Sequence, residues 1–292
     1  MSQLNSLKKD FIKGFSDLTR SRSTGAVFSD WLEIVAVSMR QLPFQAGELP
    51  KDADFQTYED KYLAVAKRYS TEELNRMSEI MGMAIVALKL HPCDFLGQCY
   101  MEMEQGNEAA GQFFTPYEVC RLMAKMTVGT ADSLKETIQK KGVITVQEPA
   151  AGAGGMMIAL AQEVEELGFD PRAVLRFDAI DIARNCFNMS YFQMAATDLQ
   201  CTVHHGNTLS MEIWESRPTP QLMLFEEWAK PRRLEAALRG LLGDTNPLLQ
   251  DEPAAAPPQE PPAPPLSAAK PKPDIVLKPQ QMTLFNLNDF QK

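Results

Sequence analysis

The run from Val143 to Met157, Val-Ile-Thr-Val-Gln-Glu-Pro-Ala-Ala-Gly-Ala-Gly-Gly-Met-Met, constrains the fold of this chain more than any other stretch. Its first four residues suit a short buried strand, with β-branched side chains at each position. Ile158, Leu160, Ala161, Val164 and Leu167 then recur at helical spacing, and Gly168 is placed as the stop. Between the two, Gly152, Gly154 and Gly155 have no Cβ, so the turn can take positive φ and lay backbone N–H groups against a ligand at the helix start. Strand, glycine turn and helix in this order predict an α/β fold with a small-molecule cradle.

The residues around the turn narrow the ligand. Met157 stands where a dinucleotide fingerprint would have its third glycine, and Glu148 sits at the strand end. A carboxylate there repels a pyrophosphate and suits an ammonium or sulfonium charge, which favours S-adenosylmethionine over NAD. A second strand, Ala173 to Asp181, ends in an acid placed to accept from two ribose hydroxyls, while Asp178 within it should face solvent. A helix from Arg184 to about Thr197 and a third strand near Cys201 to His204 lead to Gly206-Asn207-Thr208-Leu209, with Asn207 expected beside an adenine ring.

Upstream, Thr115, Pro116 and Glu118 have the spacing of a capping box with proline at the first helical position. Val119, Leu122, Met123 and Met126 are then expected to form the buried stripe of that helix. Phe113 and Phe114, just before it, fit either ordinary core or the wall of a flat ligand.

Taken together, Asp94-Phe-Leu-Gly-x-x-Tyr100, Gly-Gln-Phe-Phe-Thr-Pro at 111–116, Glu-Pro-Ala-Ala-Gly-Ala-Gly-Gly at 148–155, Asp181 and Gly-Asn-Thr-Leu at 206–209 resemble the N6-adenine DNA methyltransferases, and among them the modification subunits of type I restriction systems. The resemblance implies a class I methyltransferase fold, a Rossmann-like doubly wound sheet of about seven strands, and site-specific DNA adenine methylation with S-adenosylmethionine. The contacts it implies are Phe113, Phe114, Thr115, Pro116, Glu148, Ala150, Gly152, Gly154, Asp181 and Asn207, the last standing where the family usually has Asp.

The family's catalytic motif, Asn or Asp, Pro, Pro, then Tyr or Phe, has no counterpart. In the family its first side chain and a proline carbonyl accept from the adenine amino group, and its aromatic ring stacks on the flipped base. The only Asn-Pro here, Asn246-Pro247, is followed by two leucines. The best positional substitute is Leu222 to Trp228, expected as a short apolar strand, with Phe225 and two glutamates where the motif should be. Cofactor binding without ordinary adenine methylation is the expectation, the catalytic residues being unassigned.

The chain's 292 residues divide by pattern into a helical region, 1–110, a cofactor-binding α/β region, 111–243, a proline-rich linker, 244–280, and a terminal peptide, 281–292. The helical region shows apolar stripes over 28–39, 57–69 and 71–90, the last opening on a capping box at Ser70 to Glu73. Ten of the twenty prolines lie between Pro253 and Pro279, a composition suited to a tether and not to a core. With three clear strands before the linker, either residues 211–243 complete a reduced sheet or a second chain, a partner or another copy, does so.

Five cysteines without C-x-x-C spacing, no signal-peptide pattern and no membrane-length apolar run suggest a cytoplasmic protein with reduced thiols, no metal site and no membrane contact. A net charge of −9, spread along the chain, suits DNA contact through a partner better than direct duplex binding. The terminal peptide Gln281-Met-Thr-Leu284-Phe285 resembles the motif by which bacterial proteins bind the replicative sliding clamp, and Gln221-Leu-Met-Leu224-Phe225 is a second copy, unless it forms the sheet's fourth strand. Three functions follow: a DNA adenine-N6 methyltransferase or its subunit, a catalytically silent accessory or anti-restriction factor at the clamp, or a methyltransferase for a substrate other than DNA.

Overall fold

The computed structural model describes residues 2–19, 22–103 and 114–242. Met1–Glu227 form one compact unit and Trp228–Lys292 a second, of which the end of one helix is described.

Five helices open the chain: α1 (Ser2–Leu18), α2 (Thr24–Gln45), α3 (Ala53–Ala66), α4 (Thr71–Leu90) and α5 (Phe95–Met103). Their boundaries follow the local chemistry. Ser23, Asp52 and Ser70 each accept from a backbone amide in the first turn, and Ser70 with Glu73 forms the capping box expected from the sequence. Inside, Phe11, Phe15, Phe28, Trp31 and Phe95 are buried, with Phe11 and Phe15 edge-on to the Trp31 ring at 5.4 and 5.3 Å. The buried Trp31 Nε1 donates to the Met77 carbonyl at 3.0 Å, so the indole is not left unsatisfied.

Next come α6 (Tyr117–Val128), α7 (Ala131–Lys141), β1 (Ile144–Glu148), α8 (Gly155–Glu166), the single turn α9 (Pro171–Val174), β2 (Leu175–Asp181), α10 (Arg184–Ala196), β3 (Cys201–Asn207), β4 (Glu212–Pro218) and α11 (Pro220–Leu242). The sheet order is β1-β2-β3-β4, with the first three parallel and β4 antiparallel to β3. Every residue of α10 from Cys186 to Ala196 is buried, its polar Asn188 and Gln193 satisfied by hydrogen bonds to Glu33, Arg217, Asp94 and the Ala153 carbonyl. Its Phe192 ring lies 5.9 Å from Trp31 of α2, so the helices before residue 103 and the sheet share one core.

Several expectations are corrected here. The fold is mixed α/β, and its sheet has four described strands, fewer than the seven or so that the resemblance implied. The segment 222–228 is helical: Pro220 opens α11, while the fourth strand lies earlier, at Glu212–Pro218, because a tight turn at 208–211 sends the chain straight back along β3. The helix after Pro116 starts at Tyr117 without a side-chain cap, the Pro116 carbonyl itself accepting from Val119 and Cys120, so the capping box with Thr115 is not formed. The stripe on that helix is exposed, Leu122 at 59% and Met126 at 77%, because α6 packs on α8 through its other face, Cys120 and Ala124.

Among the described residues no helix is long and apolar enough to cross a membrane, and no group of three or more His, Cys, Asp or Glu could hold a metal ion. All five cysteines are buried free thiols.

Candidate functional site

At the carboxyl ends of β1 and β2 the glycine turn is fixed by hydrogen bonds that leave little freedom. Asp181 Oδ2 accepts from the Gly152 amide at 2.8 Å, and Oδ1 accepts from Ala183 at 2.8 Å. The Ala151 amide donates to the Ile180 carbonyl at 2.9 Å, and Glu148 accepts from the Ala150 amide at 3.1 Å. Gly152 and Gly154 take φ of +54° and +99°, which side chains with a Cβ resist. A Cβ at Gly152 would also come within 3.1 Å of the Phe114 ring, and one at Gly155 within 3.2 Å of Asp94. The glycines thus let a ring and a carboxylate approach the turn.

Behind this turn lies a cavity of about 310 Å³, within the range of small-molecule sites. Of the residues expected from the sequence, Phe114, Thr115, Ala150, Gly152 and Asp181 line it. Pro116 borders a neighbouring hollow, Glu148 reaches the site through its bond to Ala150, and Gly154 caps α8. Phe113 lies outside the described residues. Asn207 is not in the lining: its Oδ1 is occupied in closing the β3–β4 turn, accepting from Leu209 at 2.9 Å. Next to it, the Thr208 hydroxyl donates to the Pro149 carbonyl at 2.6 Å and ties that turn to the glycine turn.

Three lining residues from outside the glycine turn were not assigned to the site from the sequence. Asp94 is 4% exposed and accepts from Gln193 Nε2 and the Gly97 amide, both at 3.0 Å; Cys120 and Cys186 come from α6 and α10. Asp94 was legible as part of a motif, but nothing in its neighbours along the chain says it reaches a turn sixty residues away. Ile182, just after Asp181, and Leu209, in the β3–β4 turn, stand 58% and 97% exposed near the same end of the sheet.

The electrostatics are one-sided. Burial pushes the carboxyl of Asp94 above its ordinary pKa, and burial followed by repulsion from Asp181 does the same for Glu148. Among the described residues no lysine or arginine lines the cavity. Asp94 and Asp181 in the lining, with Glu148 held beside it through Ala150 and no cation among the described lining residues, favour a positively charged ligand that can hydrogen-bond.

The first copy of the Gln-x-x-Leu-Phe motif sits on α11, where the Gln221 amide donates to the Ala195 carbonyl and to Asp198, both at 3.0 Å. Phe225 lies under the Arg176 guanidinium at 5.0 Å, and Leu224 is 38% exposed. Gln281, Leu284 and Phe285 lie outside the described residues.

Residues 94–225 match the N-6 DNA Methylase family. The methylase subunit of the type I restriction enzyme MpnII from Mycoplasma pneumoniae is 22% identical over 154 residues, half of this chain. The chain spans about a quarter of that relative's length (26%). Among solved structures, a type I restriction-modification methyltransferase subunit from Streptococcus thermophilus aligns with 72% of this chain and 60% of its own at 14% identity and a TM-score of 0.36. A Listeria monocytogenes protein described as a class I S-adenosylmethionine-dependent methyltransferase aligns with 70% and 55% at 16% identity and the same TM-score. From the matched region and the curated relative, the chain is a distant homologue of the N6-adenine DNA methylases and the type I modification subunits.

Proposed function

We propose that the cavity at the glycine turn binds S-adenosylmethionine, and that the chain serves DNA modification or restriction as a cofactor-binding member of its family without a methylation motif of its own. The observation that carries the reading is the hollow built on Gly152 and Asp181, lined by Asp94 and Asp181 and, among the described residues, by no lysine or arginine. When bound, the cofactor would supply an electrophilic methyl group on a sulfonium. In this reading Asp181 would accept from the ribose hydroxyls with its remaining lone pairs, and Asp94 and Glu148 would complement the positive charge.

The silent-accessory form of this function is favoured by one specific feature. The segment that would have to carry a substitute motif, Leu222 to Trp228, is helical, and its Phe225, like Gln221 just before it, is engaged within the chain. Recruitment by the sliding clamp through Gln281 to Phe285, and DNA contact through a partner, belong to the same proposal. Tritiated methyl transfer to unmethylated DNA, run beside a cofactor-binding assay, tests it. Binding without transfer supports the proposal, transfer by the chain alone restores an active enzyme, and absence of both refutes it.

A further inference from the structure

Helix α6 has two apolar faces, and the fold uses one. Cys120 and Ala124 are buried against α8 around Ala159. On the opposite side Val119, Leu122, Met123 and Met126 fall within about 100° of arc, and they are 43, 59, 47 and 77% exposed. Four large apolar side chains at i, i+3, i+4 and i+7 on one helix make the contiguous kind of patch that marks an interaction surface, unlike singly scattered ones.

The charges beside the stripe say what covers it. Glu118 and Lys125 lie two helical turns apart on the same flank of the stripe. Among the described residues Glu118 makes no ion pair, and Lys125 makes only a distant one, 3.9 Å to Glu166. Their midpoint along the helix falls beside Leu122, near the middle of the stripe. An antiparallel pair of α6 helices related by a two-fold axis there sets Glu118 of each copy against Lys125 of the other while the stripes interlock. Such self-complementarity is what an isologous dimer requires.

We propose that a second copy of this chain covers α6, through an antiparallel α6–α6 contact with Leu122 and Met123 at its centre and two reciprocal Glu118–Lys125 pairs along one flank. Because Cys120 on the inner face of α6 lines the cavity, the contact would brace one wall of the site in each copy.

The test is sedimentation of the full chain between about 1 and about 200 µM, a range that covers the affinity of a small interface. The expected result is a concentration-dependent shift from 32.6 kDa to twice that mass. Leu122→Glu should abolish it; since Leu122 is exposed, the variant should keep the wild-type circular dichroism. Glu118→Lys or Lys125→Glu alone should weaken association about tenfold by setting like charges together, and the double reversal should restore it. A monomer throughout the range, a dimer indifferent to Leu122→Glu, or failure of the double reversal to rescue would each overturn the proposal.

Discussion

The Asp181 carboxylate grips the Gly152 amide at 2.8 Å, joining the end of the second strand to the turn that follows the first. With Ala183 held at 2.8 Å by its other oxygen, one side chain fixes two backbone segments and keeps the hollow beside them open. Gly152 resists change, having φ of +54° and the Phe114 ring 3.1 Å from any added Cβ. Gly152→Ala should destabilise the fold by about 1–2 kcal/mol in urea titrations, through the left-handed backbone alone. The same variant should bind S-adenosylmethionine at least about tenfold more weakly, as the turn or Phe114 shifts.

Asp94 separates stability from function. It is buried with Gln193 and Gly97 donating to one oxygen, and among the described residues it makes no ion pair. Asp94→Asn keeps that acceptor and removes a buried charge, so thermal unfolding should stay level or rise by a few degrees. Affinity for a sulfonium ligand should fall in the same protein, a combination that simple misfolding cannot produce.

The pH dependence of binding follows from the same carboxyls. Burial raises the pKa of Asp94, and burial with repulsion from Asp181 raises that of Glu148 above its ordinary 4.5. Their ionised forms therefore cost the free protein stability once pH rises through those raised values, and a bound cation offsets the cost. Calorimetry should show affinity falling as pH drops from neutrality toward 5, with proton release on binding in the range where these groups titrate.

A second charged cluster acts on the fold alone. Arg217 is completely buried, its Nη2 donating to Glu215 at 2.8 Å and its Nη1 to Asn188 at 3.0 Å, with Tyr58, Phe187 and Tyr191 around the guanidinium. Arg184 bridges Glu33 and Glu215, both at 2.6 Å, linking α2, α10 and β4. Burial by itself would raise the pKa values of Glu33 and Glu215, but the two arginines outweigh it and hold both below the ordinary 4.5. Arg217→Met should cost about 3 kcal/mol or more, since a buried carboxylate loses a partner. Stability from the cluster should be present above pH 4.5 and drain away as pH falls through the depressed values, which an acid unfolding series would display.

What could be read along the chain was whatever local chemistry dictates. The glycine turn, the strand ending at Asp181, the helix from Arg184 and the Ser70 cap all depend on neighbours within a few residues, and they lie where the pattern put them. The misreadings share a cause. Val119, Leu122, Met123 and Met126 repeat at core spacing, but periodicity does not say which of two apolar faces a helix buries, and α8 took the other one. Leu222 to Trp228 is a run short enough for either strand or helix, and Pro220 decided it. Asp94, Cys120 and Cys186 meet at one cavity only through tertiary packing.

The central claim is that this hollow holds a sulfonium nucleoside, and titration calorimetry of the intact chain at neutral pH tests it most directly. S-adenosylmethionine should bind one to one with a dissociation constant in the range of about 1–100 µM, NAD should not bind, and Gly152→Val should remove the signal. A flat titration for the wild-type chain, or equal heats from the Gly152→Val variant, would contradict the account.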